Sequence, residues 1–229
     1  KEGPLVVNYN QANSKIDISN NFSILEGEQA HQMLFWINGT DFDYVDVYAM
    51  GINSEQYMFS YTDSGYVKKD DWTDVDPNKF IKEIKENYKA SNSTRQQNGQ
   101  PTVLNVTWKK KPYLDGIYNS VYYALDVSWS NNTSSVEGTS IILGREGYTT
   151  GKYIGGDNGY SEQMLLNISK MHKFNSTKEY KDWKSGDKVA AAGIGALLAT
   201  TLGVKALKPG IIAAGLLLLK KFWFIIFLP

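Results

Sequence analysis

Asp63, Asp70 and Asp71 fall within one short stretch, DSGYVKKDD (63–71), together with Gly65 and Tyr66. Carboxylates gathered on a polar connection offer oxygen ligands to a hard cation, and two acids in unlike environments can serve as general acid and general base. The stretch lacks the D-x-[DN]-x-[DN]-G spacing of a calcium loop, so a solvated turn is the plainer expectation. Arg145 is one of only two arginines and stands in LGREG (143–147), after an apolar run. Its planar fork suits two-point contact with a carboxylate or a phosphate. An ion pair with Glu146, Asp126 or Asp63 is the default reading, and contact with an anionic ligand the alternative. His31 and His172 are the only histidines, and neither has a second one nearby. Glu28, three residues before His31, makes one pair with it, too little to define a metal site. There is no cysteine, which removes thiolate nucleophiles, Cys-ligated zinc and disulfides. No nucleophile elbow, Walker loop or dinucleotide fingerprint occurs, and GGDNG (155–159) has the spacing of a turn, not of a phosphate cradle. No catalytic residue, metal ligand or cofactor is therefore assigned.

The elements that must hold these residues follow from periodicity. Leu5–Asn8 and Lys15–Ser19 read as short strands around a turn. Glu28–Ile37 reads as a helix with Ala30, Met33, Leu34 and Ile37 on one side. Tyr44–Met50 and Gln56–Tyr61 read as a hairpin, and 63–75 as a polar connection. Asp76-Pro77 starts a helix, with the acid as N-cap and the proline at the first helical position. Phe80, Ile81, Ile84 and Tyr88 line its buried face. Thr102–Lys110 and Ile117–Trp129 read as long antiparallel strands. Thr139–Leu143 and Tyr148–Ile154 follow as strands, and Gly159–Phe174 as a helix. The order predicts an α+β fold, an antiparallel sheet with flanking helices.

The chain is formally neutral, but unevenly so. Residues 187–229 hold five lysines and one acid, which leaves 19 basic and 23 acidic residues upstream. An acidic body argues against nucleic acid as a partner, since phosphate binding needs a basic face. The first residue is not Met, and a removed signal peptide is one reading; with it goes an extracytoplasmic body, periplasmic or on the cell surface. Eight N-x-S/T sequons occur, at Asn21, Asn38, Asn92, Asn105, Asn131, Asn132, Asn167 and Asn175. Either they are glycosylation acceptors or they reflect the Asn- and Lys-rich composition of an AT-rich genome.

Two apolar runs close the sequence, Val189–Leu207 and Gly210–Pro229, separated at Lys208-Pro209-Gly210. Each approaches the ~20 residues with which a helix crosses a bilayer. They predict a body over 1–186 and a transmembrane or membrane-embedded helical hairpin over 187–229. Ala191, Gly195, Ala199 and Gly203, with Gly210 and Ala214, recur at four-residue spacing and would let helices pack closely in lipid. Lys220 and Lys221 interrupt the second run, and a lysine at the bilayer centre costs about 2.5–3.5 kcal/mol. The second run would then lie at the interface, or span with its lysines in a polar seam, or span briefly with Phe222-Trp223-Phe224 among the headgroups.

DSGYVKKDD with Val75-Asp76, the helix carrying Asn92 and Arg95, LGREG, DKVAAAGIGALLA (187–199) and LKKFW (219–223) occur in one order. In this set the chain resembles the membrane-anchored family known as domain of unknown function 2167. That resemblance implies export and hydrophobic C-terminal helices, with no assigned activity and no catalytic residues to carry over. The stretch before LGREG, Gly138–Ile142, departs from the more polar strand that the family leads one to expect. Together these readings favour a membrane-anchored, non-enzymatic interaction protein. Its partners would be the bilayer and itself or another membrane protein. An oligomeric pore lined by the membrane lysines, and an enzyme using Asp63, Asp70 or Asp71, are the alternatives.

Overall fold

A computed structural model describes residues 4–18, 22–38, 44–52, 54–156 and 160–204. Seven strands form one antiparallel sheet: β3 (Phe22–Glu26), β4 (Val47–Gly51), β5 (Gln56–Thr62), β6 (Val103–Asp115), β7 (Ser120–Trp129), β8 (Ser134–Leu143) and β9 (Tyr148–Gly155). Their order is β3-β4-β5-β9-β8-β7-β6, so β9 pairs with both β5 and β8. A smaller sheet joins β1 (Leu5–Tyr9), β2 (Ser14–Ile18) and β10 (His172–Phe174). Four α-helices complete the described residues: α1 (Glu28–Asn38), α2 (Pro77–Gln97), α3 (Glu162–Met171) and α4 (Ile194–Thr201). The α+β expectation and the antiparallel sheet hold.

Alternation in the strands decides which helix covers which face. Val121, Tyr123, Leu125, Val127 and Trp129 of β7, with Ile141 and Leu143 of β8, face Phe80 and Ile84 of α2 and Ile194, Leu197 and Leu198 of α4. Ala30 and Leu34 of α1 pack on Tyr48, Met58 and Ile154 of the same sheet face. The opposite face packs Leu165 and Ile168 of α3 together with Val7, Ile16 and Ile18 of the small sheet. Burying Phe80 and Ile84, which are essentially inaccessible, contributes about 1.5–3 kcal/mol each. The α2 start is as expected: Asp76 Oδ1 accepts from the backbone N–H groups of Asn78 (3.0 Å) and Lys79 (3.2 Å), and Pro77 opens the helix.

Three elements differ from the sequence reading. The helix expected to reach Phe174 stops at Met171, because residues 172–174 pair with β2. The strand expected to end at Lys110 continues through Pro112 to Asp115; β6 is a sheet edge, where a missing N–H is tolerated, and two register shifts surround Lys110. The largest correction concerns Val189–Leu207. No helix fills that run. Val189 bridges to Tyr66, and α4 is only eight residues, with Ile194, Ala196, Leu197, Leu198 and Ala199 in the same core as α2 and β7. Among the described residues no helix is long and apolar enough to cross a membrane. The first arm of the expected hairpin is therefore part of the body's core. Its apolar character serves burial among side chains. The second arm, with Gly210, Ala214, Lys220 and Lys221, lies outside the described residues.

Candidate functional site: the clasp on the C-terminal arm

Residues 175–204 form an arm that runs from β10 past Arg145 and the 63–71 connection into α4. Arg145 holds its middle. The Arg145 Nε donates to Asp187 Oδ2 at 2.7 Å and Nη2 to Oδ1 at 2.8 Å, while Nη1 reaches the Thr177 carbonyl at 3.2 Å. The two side chains are 18% and 21% exposed. Asp187 also accepts the Lys184 backbone N–H at 2.8 Å. The hydrogen bond from Arg145, and then that from Lys184, pulls the Asp187 carboxyl down to about 2. Next to Arg145, Glu146 pairs with Lys178 at 2.6 Å and its carbonyl accepts the Gly65 N–H at 2.8 Å. LGREG thus grips the arm and the 63–71 connection together.

Tyr66 makes the second hold. Its N–H donates to the Lys188 carbonyl (2.8 Å), and its own carbonyl accepts from Ala190 (3.0 Å), forming a parallel bridge. Gly65 makes that approach feasible: its φ is +86°, and a Cβ there would meet the Lys188 carbonyl oxygen at 2.8 Å. The Tyr66 ring stacks on Tyr180 at 4.4 Å and lies 5.1 Å from Trp183. Tyr180 donates to the Val67 carbonyl at 2.8 Å, and burial pushes its hydroxyl well above the ordinary tyrosine range. Lys69 sits 4.3 Å over the Tyr180 ring and donates to Asn119 Oδ1 at 2.7 Å; burial lowers its pKa.

Asp71 makes the third. It accepts the Gly195 N–H at Oδ1 (2.9 Å) and the Ala196 N–H at Oδ2 (3.0 Å). These are second- and third-position donors of α4, which no intrahelical carbonyl can reach. A carboxylate there also meets the positive end of the helix dipole. Gly195 packs against the Asp71 main chain, so this member of the small-residue stripe serves a contact inside the body. Ala199 is buried in the core, Ala191 is exposed, and Gly203 gives its carbonyl to Asn87 Nδ2 at 2.8 Å.

The sequence-flagged residues therefore meet in one region, but not around a vacant site. Asp63 pairs with Lys188 at 3.2 Å on the surface, Asp71 serves α4, and Asp70 is exposed in a 3-10 turn. Among the described residues no group of three or more His, Asp or Glu gathers to hold a metal. Arg145 does make an ion pair, though with Asp187 and not with Glu146, Asp126 or Asp63. His172 is buried, with Nε2 2.9 Å from Thr149 Oγ1, and burial drops its pKa to about 3. His31 lies on α1 with Nε2 3.0 Å from the Val45 carbonyl, on the other face of the sheet. Of the sequons, Asn92 is engaged by the Val103 backbone, donating to its carbonyl (2.9 Å) and accepting its N–H (2.8 Å). Asn105, Asn131, Asn132, Asn167 and Asn175 are exposed. Asn38 ends α1, and Asn21 lies outside the described residues.

A second polar group escaped the sequence reading. Tyr88 of α2 donates to Glu137 Oε2 of β8 at 2.7 Å, and the Arg95 guanidinium lies 4.4 Å over Trp129 with only 6% exposure. Burial raises the Glu137 carboxyl and lowers Lys152 of β9 to about 8. The signal was present: counting back by twos from Ile141 puts Glu137 on the inward face.

A family model described as Protein of unknown function (DUF2167) matches residues 1–229. The chain belongs to this family. For DUF2167 the clasp has a direct meaning: three of the motifs that mark the resemblance, 63–71, 143–147 and 187–199, are separated in sequence and bonded to one another in space. Nothing among curated proteins matches this DUF2167 chain. Among solved structures, it is similar to the solution structure of cyanobacterial PsbP (CyanoP) from Synechocystis sp. PCC 6803, with a TM-score of 0.40 and 12% identity over 75% of this chain and 92% of that one.

Proposed function

We propose that this chain is a non-enzymatic interaction protein whose rigid α+β body is held at a membrane by the apolar run 210–229. The observation that carries the reading is the clasp. Arg145, Tyr66 and Asp71 spend their polar groups on fixing the arm that leads to that run, not on a vacant site. An anchor can orient a body only if the chain between them is stiff. Here the end of the arm is tied at the start of α4 by Asp71 and beyond its last turn, at Gly203, by Asn87. The run itself is long enough to engage a bilayer, and Lys220-Lys221 with Phe222-Trp223-Phe224 suits its interface. An exported body and self-association through the run belong to the same proposal.

The test is extraction of membranes from cells expressing the full chain with alkaline carbonate. The full chain should stay with the lipid pellet, and a Leu216→Asp/Leu218→Asp variant should be released with its body still folded. Release of the unaltered chain would overturn the reading. Cross-linking in the intact membrane then reads self-association, and a ladder limited to the monomer would remove that part.

A further inference from the structure

The β6–β7 hairpin carries an arrangement that neither the fold nor the clasp accounts for. Its turn is rigid: Asp115 Oδ1 accepts the N–H groups of Ile117 (2.8 Å) and Tyr118 (3.0 Å). Asn119, at φ +49°, accepts from Lys69 at its side chain and from Leu143 at its carbonyl. At the apex of this fixed turn Ile117 is 84% exposed. Tyr113, four residues earlier on β6, is 50% exposed and packs 5.3 Å from Tyr122. Around them stand lysines on an otherwise acidic body. Lys109 lies 5.8 Å from the Tyr160 ring, Lys110 5.7 Å from Tyr113, and Lys170 of α3 5.9 Å from Tyr118. Lys109, Lys111 and Lys170 are exposed, Glu162 pairs with Lys110 at 2.8 Å, and Asp115 is engaged by the turn.

Lysines, Pro112 and register shifts on an edge strand are also how a sheet avoids pairing with another chain. That purpose explains charges along β6. It does not explain a fully presented isoleucine flanked by tyrosines at the tip. An apolar apex, an aromatic collar and a ring of lysines match the layers of a bilayer surface in order: acyl boundary, interface, anionic headgroups. α2 lies along β6, with Trp108 Nε1 donating to the Pro77 carbonyl and Asn92 holding Val103, and the arm ends against Asn87 of the same helix, on the sheet face opposite the one on which α3 carries Lys170.

We infer that the β6–β7 hairpin is a second membrane contact, with Ile117 and Tyr113 entering the interface and Lys109, Lys111 and Lys170 meeting anionic lipid headgroups. The inference rests on the membrane reading of the C-terminal run, and one experiment separates the two. The chain has no cysteine, so an Ile117→Cys variant of the full chain takes a single bimane label, and Ile52→Cys, on the β4–β5 hairpin, supplies the control. Each is mixed with vesicles of phosphatidylcholine alone or with phosphatidylglycerol added, and both flotation and quenching by a lipid-borne nitroxide are read. The expected result is flotation with both lipids, and quenching at 117 but not at 52 that is strong only with phosphatidylglycerol. That quenching should be lost in high salt and in Lys109→Gln/Lys111→Gln/Lys170→Gln. Flotation without quenching at 117 overturns the hairpin contact and leaves the anchor standing. Equal quenching in both lipids overturns the headgroup part. Binding only to phosphatidylglycerol, reversed by salt, supports the hairpin and overturns the anchor; binding to neither overturns both.

Discussion

Arg145 and Asp187 meet in a two-point contact across 42 positions of sequence, at 2.7 and 2.8 Å. The pair ties the arm to the sheet at the place where the chain would otherwise swing free. Arg145→Gln and Asp187→Asn should each open the arm, and trypsin should then cut after Lys178, Lys181, Lys184 or Lys188 sooner than in the unaltered chain. The double variant should be no worse than the worse single one, because both remove the same contact. Additive effects would show that the two side chains act separately. The pH dependence has a definite sign. Asp187 is held at about 2, below its ordinary 3.8, chiefly by the Arg145 hydrogen bond. Its contribution is whole above pH 4 and disappears as pH falls through 2. Trp183 fluorescence, read during acid titration, should report that loss, and Arg145→Gln should erase it.

Asp71 replaces two missing helix bonds at the start of α4. Asp71→Ala should lower stability by about 1 kcal/mol, in the range of other lost caps. Asp71→Asn keeps an acceptor and should lose less. Urea unfolding of both variants checks this. Equal stability of Asp71→Ala and the unaltered chain would mean that α4 is held by burial alone.

Lys152 controls the alkaline side. Burial holds it at about 8, below its ordinary 10.5. Between these values the unfolded chain binds more protons at this group than the folded one, so the contribution of Lys152 to stability should rise with pH above about 8. Buried tyrosines limit the window from above: burial raises Tyr48, Tyr57 and Tyr123 over their ordinary 10, so ionisation in the unfolded chain lowers stability as pH nears 10, and the rise due to Lys152 is read between about 8 and 9. In Lys152→Met the rise should vanish. Thermal midpoints across that window are the measurement, and a persistent rise would assign it to another group.

Much of this architecture could be read before any coordinates. Asp76-Pro77 announced α2, and alternation through β7 put Val121 to Trp129 on one buried face. What misled was apolar character taken without its neighbours. Within Val189–Leu207, Ile194 to Ala199 and Val204 are apolar because they fill a core, and composition cannot distinguish lipid from side chains. The clasp was half legible. Its members, Asp63, Tyr66, Asp71 and Arg145, stood out by residue type. Of their partners, Asp187 did not, and Gly195 stood out only as part of a stripe expected to pack in lipid, since a contact across 42 or 124 positions leaves no local signal. The pairing of residues 172–174 with β2 was hidden for the same reason.

His172 sets the acid side well before Asp187 does. It is 3% exposed, faces Thr149 through Nε2, and has Tyr9 and Phe174 edge-on at 6.4 and 4.6 Å. Burial lowers its pKa from 6.5 to about 3, so it stays neutral in the folded chain while the unfolded chain takes up a proton. Stability should therefore fall as pH drops from about 6.5 toward 3, by a few kcal/mol at roughly 1.4 kcal/mol per unit. His172→Gln keeps a polar group for Thr149 and cannot ionise. It should be less stable than the unaltered chain at pH 7 but should lose little more by pH 4, so the two curves converge. Urea midpoints measured at both pH values test this. Parallel curves would mean that the acid sensitivity comes from carboxylates, not from the buried imidazole.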